Sequence, residues 1–100
     1  MYEKCTAALR MVRVILKDGY MDESTYPCSV ARYLPGDEYI YLSTEEELHV
    51  FSLDGIYECR IDGPDGPVAC TGMLIERYWN EIGNILKFRI QNGFYKNLVN

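Results

Sequence analysis

The chain has little that would mark an exported precursor, a membrane segment or a metal centre. Residues Met1 to Thr6 hold no apolar signal core, and an apolar run such as Val14 to Leu16 is far too short to cross a bilayer. The sequence therefore predicts a cytoplasmic protein with no membrane role. In that reducing compartment the four cysteines, Cys5, Cys28, Cys59 and Cys70, stay as thiols. No two of them stand within four residues of one another, so the paired spacing of a zinc site is missing and no cofactor is expected. Histidine occurs once, at His49 behind Glu45-Glu46-Glu47, where it reads as a surface residue. No argument from spacing brings a serine or cysteine to it, so the nucleophile and base of covalent catalysis are not found and an enzyme is not expected. The glycines at 55, 63, 66 and 72 do not make a phosphate-cradling loop. Positive charge is also scarce: 10 Lys and Arg against 15 Asp and Glu leave a net charge of −5. That balance works against nucleic-acid binding unless the cations cluster. Lys4, Arg10, Arg13 and Lys17 do fall close together, and the plainer reading of them is a solvated strand edge.

What is abundant is tyrosine, with nine in 100 residues. Tyrosine favours strands and has one apolar and one wet side, so this abundance suggests sheets with half-wet faces or a contact surface. The length suits one domain with a modest core, because so short a chain buries only about two-thirds of its unfolded surface.

Along the chain the period is mostly two. The first six or eight residues read as a fraying end or a short helical turn. Val12, Val14 and Leu16 alternate with Arg13, Ile15 and Lys17, which predicts a strand ended by Asp18-Gly19. Gly19 to Tyr26 is polar and reads as a loop. Pro27 opens a second strand over Cys28 to Leu34, and Pro35-Gly36-Asp37 turns the chain. Tyr39 to Leu42 forms a third strand with Ile40 and Leu42 inward. Ser43-Thr44 ahead of three glutamates resembles a helix start of about one turn. His49 to Leu53 reads as a short strand before a tight turn at Asp54-Gly55.

The C-terminal half is the most legible. Placing Gly63-Pro64-Asp65-Gly66 in a turn pairs Ile61 with Val68, Cys59 with Cys70 and Tyr57 with Gly72, all on one apolar face. A second hairpin turning at Glu81-Ile82-Gly83-Asn84 pairs Trp79 with Leu86, Arg77 with Phe88 and Ile75 with Ile90, and sets Glu76 against Arg89. The two hairpins bury opposite parities, so a bulge near Thr71-Gly72-Met73 is expected where the strand passes from one side of a small barrel to the other. Asn92 to Asn100 is read as a short helix laying Phe94, Tyr95, Leu98 and Val99 over the barrel mouth. The fold class that follows is mainly β: one domain over residues 1–100, a five- or six-stranded antiparallel barrel with at most one short helix.

Two family resemblances follow from these residues. Val12 to Gly19, a second strand and then Ile40-Tyr41-Leu42 resemble the first motif of the Sm-like fold, which implies an RNA-binding ring. Val50 to Ile90 looks like a PilZ domain, or the small barrel that precedes PilZ in flagellar-brake-type proteins. Ser52-Leu53-Asp54-Gly55 is similar to the SxxG part of the PilZ motif, with Val50 where that motif has Asp or Asn. Thr71 to Arg77 and Leu86 to Ile90 resemble the strands that close that barrel. The family's RxxxR is approached only by Arg13 to Lys17. The residues point to a non-catalytic module that binds another protein or itself through an exposed tyrosine-rich face, Tyr33, Tyr39, Tyr41 and Tyr78, since aromatics concentrate at interfaces. The resemblance implies that it is a degenerate PilZ-like adaptor in signalling. Its alternative is a cyclic di-GMP receptor holding the dinucleotide through Arg10, Arg13, Arg32 and Ser52, since guanidinium groups recognise phosphates and base edges.

Overall fold

The computed structural model describes residues 2–15 and 19–96, without the side chains of residues 95 and 96. Six strands run β1 Thr6–Val14, β2 Thr25–Leu34, β3 Tyr39–Thr44, β4 Gly55–Gly63, β5 Gly66–Asn80 and β6 Gly83–Lys96. They close into an antiparallel barrel in the order β1-β2-β3-β6-β5-β4, with β4 pairing back onto β1. The described residues hold one 3-10 turn, Leu48–Val50, and no other helix. No helix among them is long and apolar enough to cross a membrane.

The β4–β5 hairpin has the register that its hydrophobic pattern implies. Ile61 faces Val68, Cys59 faces Cys70 and Tyr57 faces Gly72, and the turn closes with Gly63 opposite Gly66. Gly66 takes φ +110°, a conformation that side chains resist. Tyr57, Cys59, Ile61 and Cys70 are fully buried. They meet Leu9, Ile40, Leu42 and Phe88 from the other strands in a single core. Each such side chain contributes about 1.5–3 kcal/mol by leaving water.

The second hairpin is shifted by two residues from the expected register. Its turn is the pair Glu81-Ile82, so Trp79 faces Asn84, Arg77 faces Leu86 and Glu76 faces Lys87 rather than Arg89. Asn80 explains the tighter turn. Its Oδ1 accepts the Ile82 N–H at 2.8 Å and the Gly83 N–H at 3.3 Å, and Gly83 supplies φ +133°. The parity change is real, but it falls at Ile75, the extra residue between Leu74 and Glu76. Leu74 is therefore the residue that turns inward, and Ile75 is turned out. Beside Gly72 the extra residue is Gln91, on β6.

Elsewhere the local readings give way to tertiary pairing. Residues 2–8 are not frayed: β1 starts at Thr6, and Tyr2 packs against Tyr33 and Phe94 with ring centroids 5.6 and 5.2 Å away. β1 buries Ala7, Leu9 and Met11, while Val12 is exposed beside a bulge; Leu16 and Lys17 lie outside the described residues. Pro27 sits within β2, opposite Ala8. This is tolerated because the ladder to β3 begins only at Ser29, so no bond on that side is lost. In the β2–β3 turn the left-handed residue is Glu38, φ +59°, and not Gly36. Thr44 Oγ1 accepts the Glu46 N–H at 3.1 Å and makes a turn where a helix start was expected, and Leu48–Val50 is a 3-10 turn where a strand was expected. Residues 92–96 continue β6 instead of forming a helix, and residues 97–100 lie outside the described residues. Phe94 packs against the core, edge-on to Tyr33 at 5.4 Å.

At Gly72 the backbone of β6 fills the space of a side chain: a Cβ would lie 1.9 Å from the Arg89 carbonyl oxygen. Gly72→Ala is expected to lower stability by about 2–4 kcal/mol, because both clashing groups are backbone. Gly36→Ala, which meets nothing within 4 Å, should shift it by less than about 0.5 kcal/mol. Denaturant unfolding of the two variants checks the contrast, and equal effects would refute it.

Candidate functional site: an aromatic and cationic wall

A bulge at Ala31 decides what β2 shows to solvent. Val30 faces Leu42 inside the barrel; one extra residue later Arg32 faces Tyr41 outside. Tyr41 in turn faces Lys87, and Lys87 faces Glu76, so one outward rung reads Arg32, Tyr41, Lys87, Glu76 across four strands. Flanking rungs add Tyr39 opposite Arg89, and Tyr78 opposite Ile85. The Lys87 ammonium lies 4.4 Å from the Tyr39 ring centroid and 5.7 Å from that of Tyr41. Desolvation pulls its pKa down, but hydrogen bonding to Tyr41 and the charge of Glu76 outweigh this and leave it above its ordinary value. Among the described residues no carboxylate forms an ion pair with Arg32, Lys87 or Arg89. A shallow groove of about 360 Å³ runs along this wall, floored by Ile85 and bordered by Arg32, Tyr41, Tyr78 and Ile82.

Three of the four tyrosines singled out in the sequence, Tyr39, Tyr41 and Tyr78, thus share one wall. Tyr33 does not. It stands opposite Ile40 on the inward side and joins the aromatic trio with Tyr2 and Phe94. Lys87 and Ile82 are not among the candidates read from the sequence; the observed register sets Lys87 opposite Glu76, and the tighter turn leaves Ile82 exposed at its tip. The signal that could have found them is Asn80 followed three residues on by Gly83, a turn pattern in its own right.

The other four candidate residues are not gathered in one place. Arg10 lies on the β1–β4 side and contacts the Glu58 carboxylate at 3.3 Å. Arg13, opposite Ile56, is exposed beyond the β1 bulge. Arg32 belongs to the wall just described. Ser52 lines a larger cleft of about 780 Å³ at the end of the barrel, with Asp22, Tyr26, Phe51, Asp54 and Arg77.

The polar groups of this end cleft are engaged in holding loops. Arg77, brought inward by the Ile75 bulge, donates to the carbonyls of Phe51 and Leu48 and so fixes Phe51 as a fully buried plug. Ser52 Oγ accepts the Asp54 N–H at 3.0 Å, and Tyr57 Oη accepts the Ser52 N–H at 2.9 Å. Asp22 accepts the Tyr26 hydroxyl and, at 3.0 Å, the Ser24 N–H. The hydrogen bond from Tyr26 holds the Asp22 carboxyl below its ordinary value near 3.8 and pushes the Tyr26 phenol above 10.0. His49 Nδ1 lies 3.2 Å from Glu47 on the surface.

Among the described residues no cluster of His, Cys, Asp or Glu could hold a metal ion. Burial pushes the Cys28 thiol up to about 12. Cys59, fully buried, is raised by its hydrogen bond with Cys70 and by burial. Comparison with protein-family models, curated proteins and solved structures finds no match to this chain.

Two expectations follow. Cys28, Cys59 and Cys70 are buried and Cys5 is partly exposed, so a thiol-selective reagent should titrate one group in the native protein and all four only in denaturant. More than one fast thiol would contradict the packing. The second concerns pH. A depressed Asp22 pKa stabilises the fold above about 3.8, and that contribution disappears as pH falls through the lower folded value. The raised Tyr26 pKa acts in the opposite sense and is lost only as pH rises past 10. Asp22→Asn should therefore melt below the unsubstituted protein at neutral pH, with the gap closing below pH 3.8. A gap that is constant with pH would rule out the charge-assisted bond.

Proposed function

We propose that the chain is a non-catalytic interaction module acting in the cytoplasm, with the outer wall of β2, β3, β6 and β5 as its docking surface. The supporting observation is the gathering of Tyr39, Tyr41 and Tyr78 around Arg32 and Lys87 on one face, two cations that no carboxylate among the described residues pairs with in a salt bridge. Aromatic and arginine side chains supply most of the energy of protein interfaces, because they combine large contact area with directional hydrogen bonds. The polar groups of the end cleft, by contrast, hold its loops in place, which favours docking over chemistry. The likeness to PilZ-like barrels adds a setting, that of a degenerate signalling adaptor. The adaptor is preferred to a cyclic-dinucleotide receptor because Arg10 is occupied by Glu58 and shares no cleft with Ser52.

Tyrosine-selective labelling tests this reading, applied to the chain inside the cells that produce it and to dilute purified protein. Tyr39, Tyr41 and Tyr78 should label several-fold more slowly in cells. Tyr20, which is off the wall and 81% exposed, should label equally in both. Equal rates at all four positions would remove the wall as a docking surface.

A further inference from the structure

The wall carries a groove, and at its border the same molecule carries an exposed apolar knob. At the tip of the β5–β6 hairpin Ile82 is 72% exposed. It is also rigidly presented, because Asn80 Oδ1 accepts its N–H at 2.8 Å and Gly83 holds a left-handed φ of +133°. A fixed isoleucine in water gives up hydrophobic free energy that only a partner can recover. Ordering it in advance lowers the entropy lost on docking.

Charge is distributed to match. Beside the knob stand Glu81, its neighbour in the chain, and Glu45 and Glu46, which line a second depression with Ile82. Asn84 Nδ2 donates to the Glu46 carbonyl at 2.9 Å and anchors that acidic turn to the hairpin. On the wall Arg32, which lines the groove, and Lys87 flank Tyr41, with Glu76 one strand further on; Arg89, beside Tyr39, shares a depression with Glu38. One continuous face is therefore acidic and apolar at the tip, and aromatic and cationic towards its middle.

We infer that the occupant of this wall is a second copy of the chain. The copies dock about a two-fold axis, so that Ile82 of each enters the Tyr41–Tyr78 groove of the other and Glu45 and Glu81 face Arg32 and Lys87. The inference rests on the wall being the docking surface. A two-fold contact requires one patch to hold both complementary halves, and this patch holds both. Every contact then occurs twice. Single-stranded nucleic acid fits less well: Lys87 occupies the Tyr39 ring face that a base would stack on, and the carboxylates at the tip repel phosphates.

Sedimentation of the purified chain over a wide concentration range tests this. The expected result is a monomer–dimer equilibrium that weakens as salt rises. Ile82→Asp should raise the dissociation constant roughly tenfold or more. Lys87→Glu and Glu81→Lys should each weaken the dimer alone and recover it when mixed, since a mixed pair restores opposite charges at both contacts. Melting temperatures of these surface variants confirm that the fold is intact. A chain monomeric throughout at low salt, a dimer indifferent to Ile82→Asp, a mixture that fails to recover, or a larger closed ring overturns the inference. If the purified chain stays monomeric while the wall tyrosines remain shielded in cells, the docking surface survives and the second copy does not. If they are unshielded, both fall.

Discussion

The barrel depends on how closely β5 and β6 press together at Gly72, where the Arg89 carbonyl occupies the space of a side chain. β5 is 15 residues long and serves two partners, β4 as far as Met73 and β6 along nearly its whole length. A strand that leaves one neighbour partway must bend, and bulges supply the bend. Gln91 is extra on β6 beside Gly72, and Ile75 is extra on β5 three residues on. The second bulge reverses which residues point inward, so Arg77 can reach over the barrel end and hold Phe51 by its carbonyl. The plug, the end cleft and the hairpin that carries Ile82 all follow from that bend.

The same reversal explains the wall. Without the extra residue at Ala31, Arg32 would continue the inward series of Cys28 and Val30 and place a guanidinium in the core. With it, the cation faces out beside Tyr41 while Tyr33 turns in to the aromatic trio. An acidic chain thus presents a locally cationic face, a feature of register that net charge hides.

What could be read from the sequence follows from what each signal encodes. The β4–β5 hairpin was fully legible because the Gly63–Gly66 turn and the apolar alternation give the same register, and either alone would have sufficed. An antiparallel barrel of five or six strands followed from that period, and the structure has six. The β5–β6 register was missed by two because Glu81 to Asn84 looked like a turn when apolar residues were matched, whereas Asn80 and Gly83 mark the turn by hydrogen bond and φ. The helices expected near Thr44 and over residues 92–100 rested on local propensity; a turn on the Thr44 hydroxyl replaces the first, and strand pairing carries residues 92–96 into β6. The buried face of β1 was misread because Ala7 and Met11 are weaker apolar signals than Val12 and Val14, and a bulge between Met11 and Arg13 breaks the alternation. Of the wall, three tyrosines were visible as an excess of one residue type. Lys87 was not, since its place depends on cross-strand neighbours, and Ile82 was not, since its exposure depends on where the turn closes.

Barrel closure also bears on how such a module can associate. Strand addition needs a free edge, and the main candidate is β5 beyond Met73, where pairing with β4 ends. That edge is poorly suited to another strand. The Ile75 bulge breaks its register, and Arg77 ties it to the carbonyls of the β3–β4 connection. Trp79, 73% exposed beyond it, is carried on the same hairpin as Ile82. With this edge spoiled, strand addition there is disfavoured, and side chains on a face offer the alternative. The outer wall of β2, β3, β6 and β5 offers such a face, with a groove, ring surfaces and the cations Arg32, Lys87 and Arg89.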